Sequence, residues 1–139
     1  MGLVLMVDRD ILLRIAEEKV KYSYSKYSNI RVAAVLVTGT GKIYFGVNIE
    51  NASYGLTMCA ERVAIFKAIS EGEREFKAIL IYSPDVIPWP CGACRQVMAE
   101  FFSPNTRIII ASRYSGKLYL KELAFDDIFP MKYQFRIQK

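Results

Sequence analysis

The 139-residue sequence has no histidine and only three cysteines. The usual zinc ligand and the usual general base are therefore both missing. Three cysteines cannot all pair within one chain, so the simpler reading is reduced thiols in a cytosolic protein rather than a disulfide scaffold. Long apolar runs are also lacking. The start "MGLVLMV" stops after seven residues at Asp8-Arg9-Asp10. It is too short to span a bilayer and has neither the basic leader nor the small-residue cleavage site of a secretion signal. Position six lacks the Ser or Thr of a myristoylation signal. No linker, repeat or low-complexity stretch interrupts the chain, so residues 1–139 read as a single domain large enough to bury a core.

What is present is ordinary globular composition, 53% apolar and 24% charged. The net charge of +5 comes from Lys and Arg scattered among acids. That describes a soluble surface with a cationic excess, not a face built for nucleic acid or membrane.

Asp8 or Asp10 caps an expected helix over "DILLRIAEEKVKYSYS", with Ile11, Leu12, Ile15, Ala16 and Val20 on one face. "RVAAVLVT" and "KIYFGVNIE" read as strands joined in a hairpin by "GTGK". After the loop "ENASYGLTM", the spacing predicts a helix over "CAERVAIFKAISEG", closed by Gly72. "FKAILIYS" is a strand, "PDVIPWP" a Pro-rich loop and "CGACRQVMAEFF" another helix. "RIIIAS" and "KLYLKEL" are two further strands, the second leading into a short helix that ends near Pro130. Five strands alternating with helices predict a mixed sheet covered by helices, an α/β class.

Cys91 and Cys94 are three apart at a helix start, so their sulfurs can converge. Cys59 also opens a helix, and the two helices are expected to follow neighbouring strands. The positive field at a helix N-terminus stabilises thiolates and readies them for metal. Three ligands with one open tetrahedral position is the layout of a catalytic zinc, and no fourth Cys or His exists to close the site. Taken alone, "CGAC" fits a redox pair or buried small residues equally well. Glu61, two residues after Cys59, favours the metal reading, because a carboxylate there can carry a proton between water and a substrate nitrogen. Three thiolates and Zn²⁺ sum to −1, and Arg62 and Arg95 are placed to hydrogen-bond thiolates and offset that charge.

"CAE" with "PCGACRQ", together with "GKIYFGVNIENASYG" and "AERVAIFKAISEG", resembles the zinc-dependent cytidine deaminases of the small, homotetrameric, all-cysteine type. The likeness spans roughly Tyr27 to Phe102. It implies a three-layer α/β/α domain with a five-stranded mixed sheet. It further implies hydrolytic deamination of cytidine and 2′-deoxycytidine in pyrimidine salvage, in the cytoplasm. By the same resemblance Cys59, Cys91 and Cys94 hold zinc and Glu61 shuttles the proton and meets the pyrimidine N3. Asn48 and Glu50 grip the ribose 3′-hydroxyl; an amide and a carboxylate two apart on a strand share a side and suit a sugar. The backbone at Ala60 meets the base carbonyl. Tyr54 reaches a neighbouring subunit's site, Gln96 supports the centre, and Tyr133 or Phe135 closes a neighbour's pocket.

The sequence departs from that pattern at Ile30, where the family has an aromatic that stacks on the pyrimidine, and at Ala33, where Gly is usual. Losing a ring–ring contact removes about 0.5–1.5 kcal/mol, so intact chemistry with weaker or broader base binding is expected. A shifted alignment, with Tyr24 or Tyr27 as the stacking ring, stays open. So does blasticidin S deaminase activity, which shares the two-motif layout, although "NIENASYG" and "CAER" favour the cytidine branch. A polynucleotide-editing deaminase would need basic grooves and flanking aromatics on an added surface. A structural zinc module would leave Glu61 and the missing fourth ligand unexplained.

Overall fold

A computed structural model describes residues 7–135; the apolar start up to Met6 and the last four residues lie outside the described residues. The elements run α1 (Arg9–Lys19), β1 (Ala33–Thr38), β2 (Ile43–Val47), α2 (Ala60–Ser70), β3 (Phe76–Ser83), α3 (Gly92–Phe101), β4 (Arg107–Ser112), β5 (Tyr119–Ala124) and α4 (Phe125–Ile128). This is the expected order. Asp8 caps α1, its carboxylate accepting from the N–H groups of Asp10 and Ile11. A 3-10 turn over Val20–Tyr22 ends that helix earlier than the apolar spacing suggested.

The five strands form one mixed sheet in the order β2-β1-β3-β4-β5. β3 and β4 pair in parallel, and the other pairs are antiparallel. Side chains alternate across the sheet, as the two-residue period of a strand requires. Ala33, Val35, Leu80, Tyr82 and Ile109 face α1 and meet Leu12, Leu13 and Ala16. Ala34, Leu36, Ile79, Ile81 and Ile110 face the other way, onto α2, α3 and Phe125 of α4. The result is a three-layer α/β/α domain with a core on each side of the sheet.

Two expectations need correction. Ile11 is 45% exposed while Leu13 is buried, because the docked helix is rotated by part of a turn from the face read off its apolar spacing. The strands that feed α2 and α3 are also not neighbours. The hairpin places β1 beside β2, and the chain leaving β2 crosses over β1 before entering β3. β2 and β3 consequently run in the same direction, and both hand the chain to their helices at the same end of the sheet. Carboxyl ends of such strands are where α/β folds place ligands.

The close seat of α2 on β2 depends on Gly46. A Cβ built there would stand 2.5 Å from both the Ala60 carbonyl and the Ala64 amide nitrogen. These are backbone atoms of a helix and cannot swing aside. Gly46→Ala should therefore lift the start of α2 and cost about 1–3 kcal/mol. The urea midpoint would fall, and metal affinity would fall with it because Cys59 caps this helix. Unchanged stability would mean that α2 can shift without loss.

Candidate metal centre and active site

Cys59 occupies the N-cap position of α2, Cys91 the N-cap of α3, and Cys94 its first turn. A two-strand bridge positions Cys59: Ile49 and Met58 exchange backbone hydrogen bonds of 2.9 Å, which brings the chain back beside the end of β2. The Cys59 and Cys91 sulfurs are 3.8 Å apart, and those of Cys91 and Cys94 are 3.6 Å apart. All three lie within 4.8 Å of one another. Sulfurs bound about 2.3 Å from a tetrahedral zinc are separated by about 3.8 Å, so the cluster fits a zinc ion without rearrangement. Among the described residues it is the only group of three or more His, Cys, Asp or Glu side chains with this convergence.

The surrounding charges suit thiolates. The Arg62 Nη2 donates to the Cys59 sulfur at 3.4 Å, and the buried Arg62 Nε has no partner among the described residues. A hydrogen bond from Cys94, helped by Arg62, pulls the Cys59 thiol down to about 5, while burial is the main opposing influence. Cys94 moves the other way, upward, because it shares its proton with Cys59 and is itself buried. The guanidinium of Arg62 is held charged above its usual range by the Cys59 sulfur. A cation placed among the three sulfurs would release this shared proton.

Glu61 is only 5% exposed. Burial pushes its carboxyl up to about 7, with the nearby Cys59 charge acting in the same direction. It lines one cavity of about 240 Å³ together with Asn48, Thr57, Cys59, Ala60 and Cys91. A carboxyl that gains and loses a proton near neutrality, beside a metal-binding triad, suits proton transfer.

The remaining sequence-derived positions divide. Asn48 lines the cavity, but most of its amide is already committed. Its Oδ1 accepts from Ser23 and from the Val32 N–H, and its Nδ2 donates to the Ile30 carbonyl at 2.8 Å. One amide N–H is left over. Glu50 accepts from the N–H groups of Tyr27 and Ser28 and from the Ser28 hydroxyl, which holds its carboxyl below the usual range. Glu50, Tyr27 and Tyr54 line an adjoining cavity that shares Thr57 with the first. Tyr54 is 77% exposed there and meets the Tyr27 ring edge-on at 6.4 Å. Gln96 is half-buried on α3, and Tyr133 and Phe135 are exposed.

Two residues are not where the sequence reading put them. Arg95 does not reach a sulfur: its Nε donates to the Pro90 carbonyl and its Nη1 to that of Ile128. Its position on α3 turns it toward the loop before Cys91 and the end of α4, so among the described residues Arg62 supplies the offsetting charge. Ile30 does not line the cavity; its N–H and carbonyl bind Ser28 and Asn48. The sequence reading also missed the apolar stretch Val86, Ile87, Pro88 and Trp89, which lines the same cavity as Glu61. The Trp-Pro step before Cys91 was the available signal.

A cysteine triad at two helix N-termini with a buried carboxyl alongside is the layout of a zinc-dependent hydrolytic site on an α/β/α sheet. Comparisons with known proteins narrow this class. The family described as the cytidine and deoxycytidylate deaminase zinc-binding region matches residues 6–111. A cytidine deaminase of Halalkalibacterium halodurans is 42% identical over 127 residues, covering 89% of this chain and 92% of that one. A cytidine deaminase structure from Burkholderia pseudomallei superposes with a TM-score of 0.81 at 37% identity, over 91% of this chain and 100% of the other. A blasticidin-S deaminase of Bacillus cereus is 31% identical over 131 residues, 88% of this chain and 89% of that one. The chain belongs to the cytidine and deoxycytidylate deaminase family, and zinc is the metal that its three cysteines fit.

The raised Glu61 value sets a pH signature for the zinc-free protein. Between about 4.5 and 7 the folded chain keeps a proton that the unfolded chain has lost, so burial of Glu61 costs progressively more stability across that window. Relative to Glu61→Gln, the wild type should lose on the order of 3 kcal/mol from pH 4 to pH 8. Urea titrations of both reduced, zinc-free proteins measure the gap. A gap that stays constant with pH would show that Glu61 is not buried as described.

Proposed function

We propose that residues 1–139 form a single catalytic domain that hydrolyses cytidine and 2′-deoxycytidine to uridine and 2′-deoxyuridine with release of ammonia. The observation that carries this reading is the buried Glu61 carboxyl lining one cavity with Cys59 and Cys91, whose sulfurs converge with that of the buried Cys94. Zinc, when bound, supplies Lewis acidity that makes water nucleophilic at neutral pH. Glu61 accepts the proton of the attacking water and delivers it to the pyrimidine N3. It then takes the proton of the new C4 hydroxyl, which becomes the carbonyl, and gives it to the amino group, which leaves as ammonia as the bond from C4 to that nitrogen breaks. Arg62 holds the cluster's excess negative charge in check, and Gln96 supports the centre from α3.

The free N–H of Asn48 and the carboxylate of Glu50 grip the ribose 3′-hydroxyl. Both are tied to the 23–32 segment, so they meet the sugar without reorganising. A carboxylate kept ionised at the sugar end repels a phosphate there, which favours nucleosides over nucleotides. The backbone at Ala60, the first residue of α2, meets the base carbonyl. The cavity accepts a small nucleoside; a polymer and a membrane have no role in this reading. The relative from Bacillus cereus keeps blasticidin S in view as the second substrate to test.

Tyr54 and the tail aromatics Tyr133 and Phe135 are the exposed rings that a neighbouring subunit would use to close a pocket, and a homotetramer is the assembly proposed. Pyrimidine salvage in the cytoplasm is the proposed setting. Among the described residues no helix is long and apolar enough to cross a membrane.

Zinc-loaded protein should release ammonia from cytidine, and Glu61→Gln should keep its zinc while losing about 10²-fold or more in turnover. No release from cytidine, with release from blasticidin S, would transfer the activity to that substrate. Sedimentation velocity should show four chains per particle, and Tyr54→Ala should weaken both assembly and cytidine binding. A monomer with full activity would remove the shared-site reading.

A further inference from the structure

The cavity beside the sulfurs is lined by two unlike sets of residues. One, Asn48, Thr57, Cys59 and Glu61, is polar and reactive; the other is the apolar stretch from Val86 to Trp89, together with Val32 and Met58. A flat heteroaromatic base held here is recognised at its edge by the first set and needs a face to pack on from the second. Trp89 is the one aromatic side chain among the described residues lining this cavity, and it is 41% exposed at the mouth.

The wall is built to stay in place. Trp89 stands between Pro88 and Pro90, which fix their own φ and hold the residue before each in an extended conformation. Its N–H donates to the Ile87 carbonyl at 3.0 Å. Asp85, at the head of the segment, accepts three bonds from Arg31: the backbone N–H at 2.8 Å, Nε at 3.0 Å and Nη2 at 2.8 Å. The Ser112 hydroxyl donates to the Val86 carbonyl at 2.7 Å, and Arg95 holds the Pro90 carbonyl at 2.8 Å. An aromatic ring presented on a segment held at both ends loses little entropy when a base packs against it.

We infer that Trp89 is the ring on which the pyrimidine packs in this chain, and that the Arg31–Asp85 pair is the positioning contact that sets its wall against the metal centre. Ile30, off the cavity, does not carry that contact. The inference rests on the cytosine-nucleoside reading of the site, and it explains how a chain without the aromatic at residue 30 still offers a base an aromatic face.

The test uses the zinc-loaded full chain, and Trp89 is its only tryptophan. Its emission should change saturably on titration with uridine, which cannot be deaminated. Trp89→Ala should raise the KM for cytidine about 3- to 10-fold, by more than kcat falls, and Trp89→Phe should recover most of the loss. Ile30→Ala should have a smaller effect than Trp89→Ala. Arg31→Gln should raise KM and shift the Trp89 emission in the unliganded protein, which a merely stabilising pair would not do. Ammonia release by the wild type with an unchanged KM in Trp89→Ala and Trp89→Phe overturns the inference, whatever the emission does. If the wild type releases no ammonia yet cytidine alters the emission, the base contact stands and the deaminase reading falls. If neither occurs, both fall.

Discussion

Everything in this fold answers to one requirement: sulfurs 32 residues apart in the chain must come within 4 Å of each other. No local structure can do this. It takes two helices whose N-termini meet at one end of one face of a sheet. The hairpin and the crossover over β1 supply that arrangement by making β2 and β3 run in the same direction. Gly46 completes it, because only a residue without a Cβ lets α2 settle onto β2 closely enough to place Cys59.

The same arrangement concentrates charge of one sign in a corner where Cys94 and Glu61 are buried and Cys59 is partly buried. Helix N-termini favour thiolates there, and among the described residues Arg62 is the one guanidinium within hydrogen-bond reach of a sulfur. Glu61 is buried beside the Cys59 charge, and both raise its proton affinity toward neutrality. The fit of the sulfurs to a metal and the raised Glu61 carboxyl thus have a common origin. A site that assembled the sulfurs in a solvated loop would leave the adjacent carboxyl near its ordinary value, ionised and a weak base.

Around this corner, segments without regular structure are held by side chains rather than by a backbone ladder. Asn48 and Glu50 bind the 23–32 segment through its backbone, and Arg31 passes the restraint on to Asp85 and the wall beyond. Residues that looked suited to hold a sugar therefore also hold the protein. The two uses are compatible, because a polar group fixed by the chain meets a ligand already oriented.

Most of the architecture was legible in the sequence, since it is written in local periodicity. "FKAILIYS" and "RIIIAS" are strands to the residue, Asp8 is the cap of the two candidates offered, and Gly72 follows the end of α2 with a positive φ. The three cysteines and Glu61 were legible for a chemical reason: few other uses explain three thiols, an acid and no histidine in two short motifs. Tertiary structure decided what depends on direction. It turned α1 so that Leu13 rather than Ile11 is buried, put β1 between the strands that feed the two motif helices, and aimed Arg62 at a sulfur but Arg95 at two carbonyls. It also left Ile30 outside the cavity and brought Trp89 into it. Spacing along a chain states which residues can share a face; which way that face points is settled only when the layers pack, because packing is a property of all the elements together.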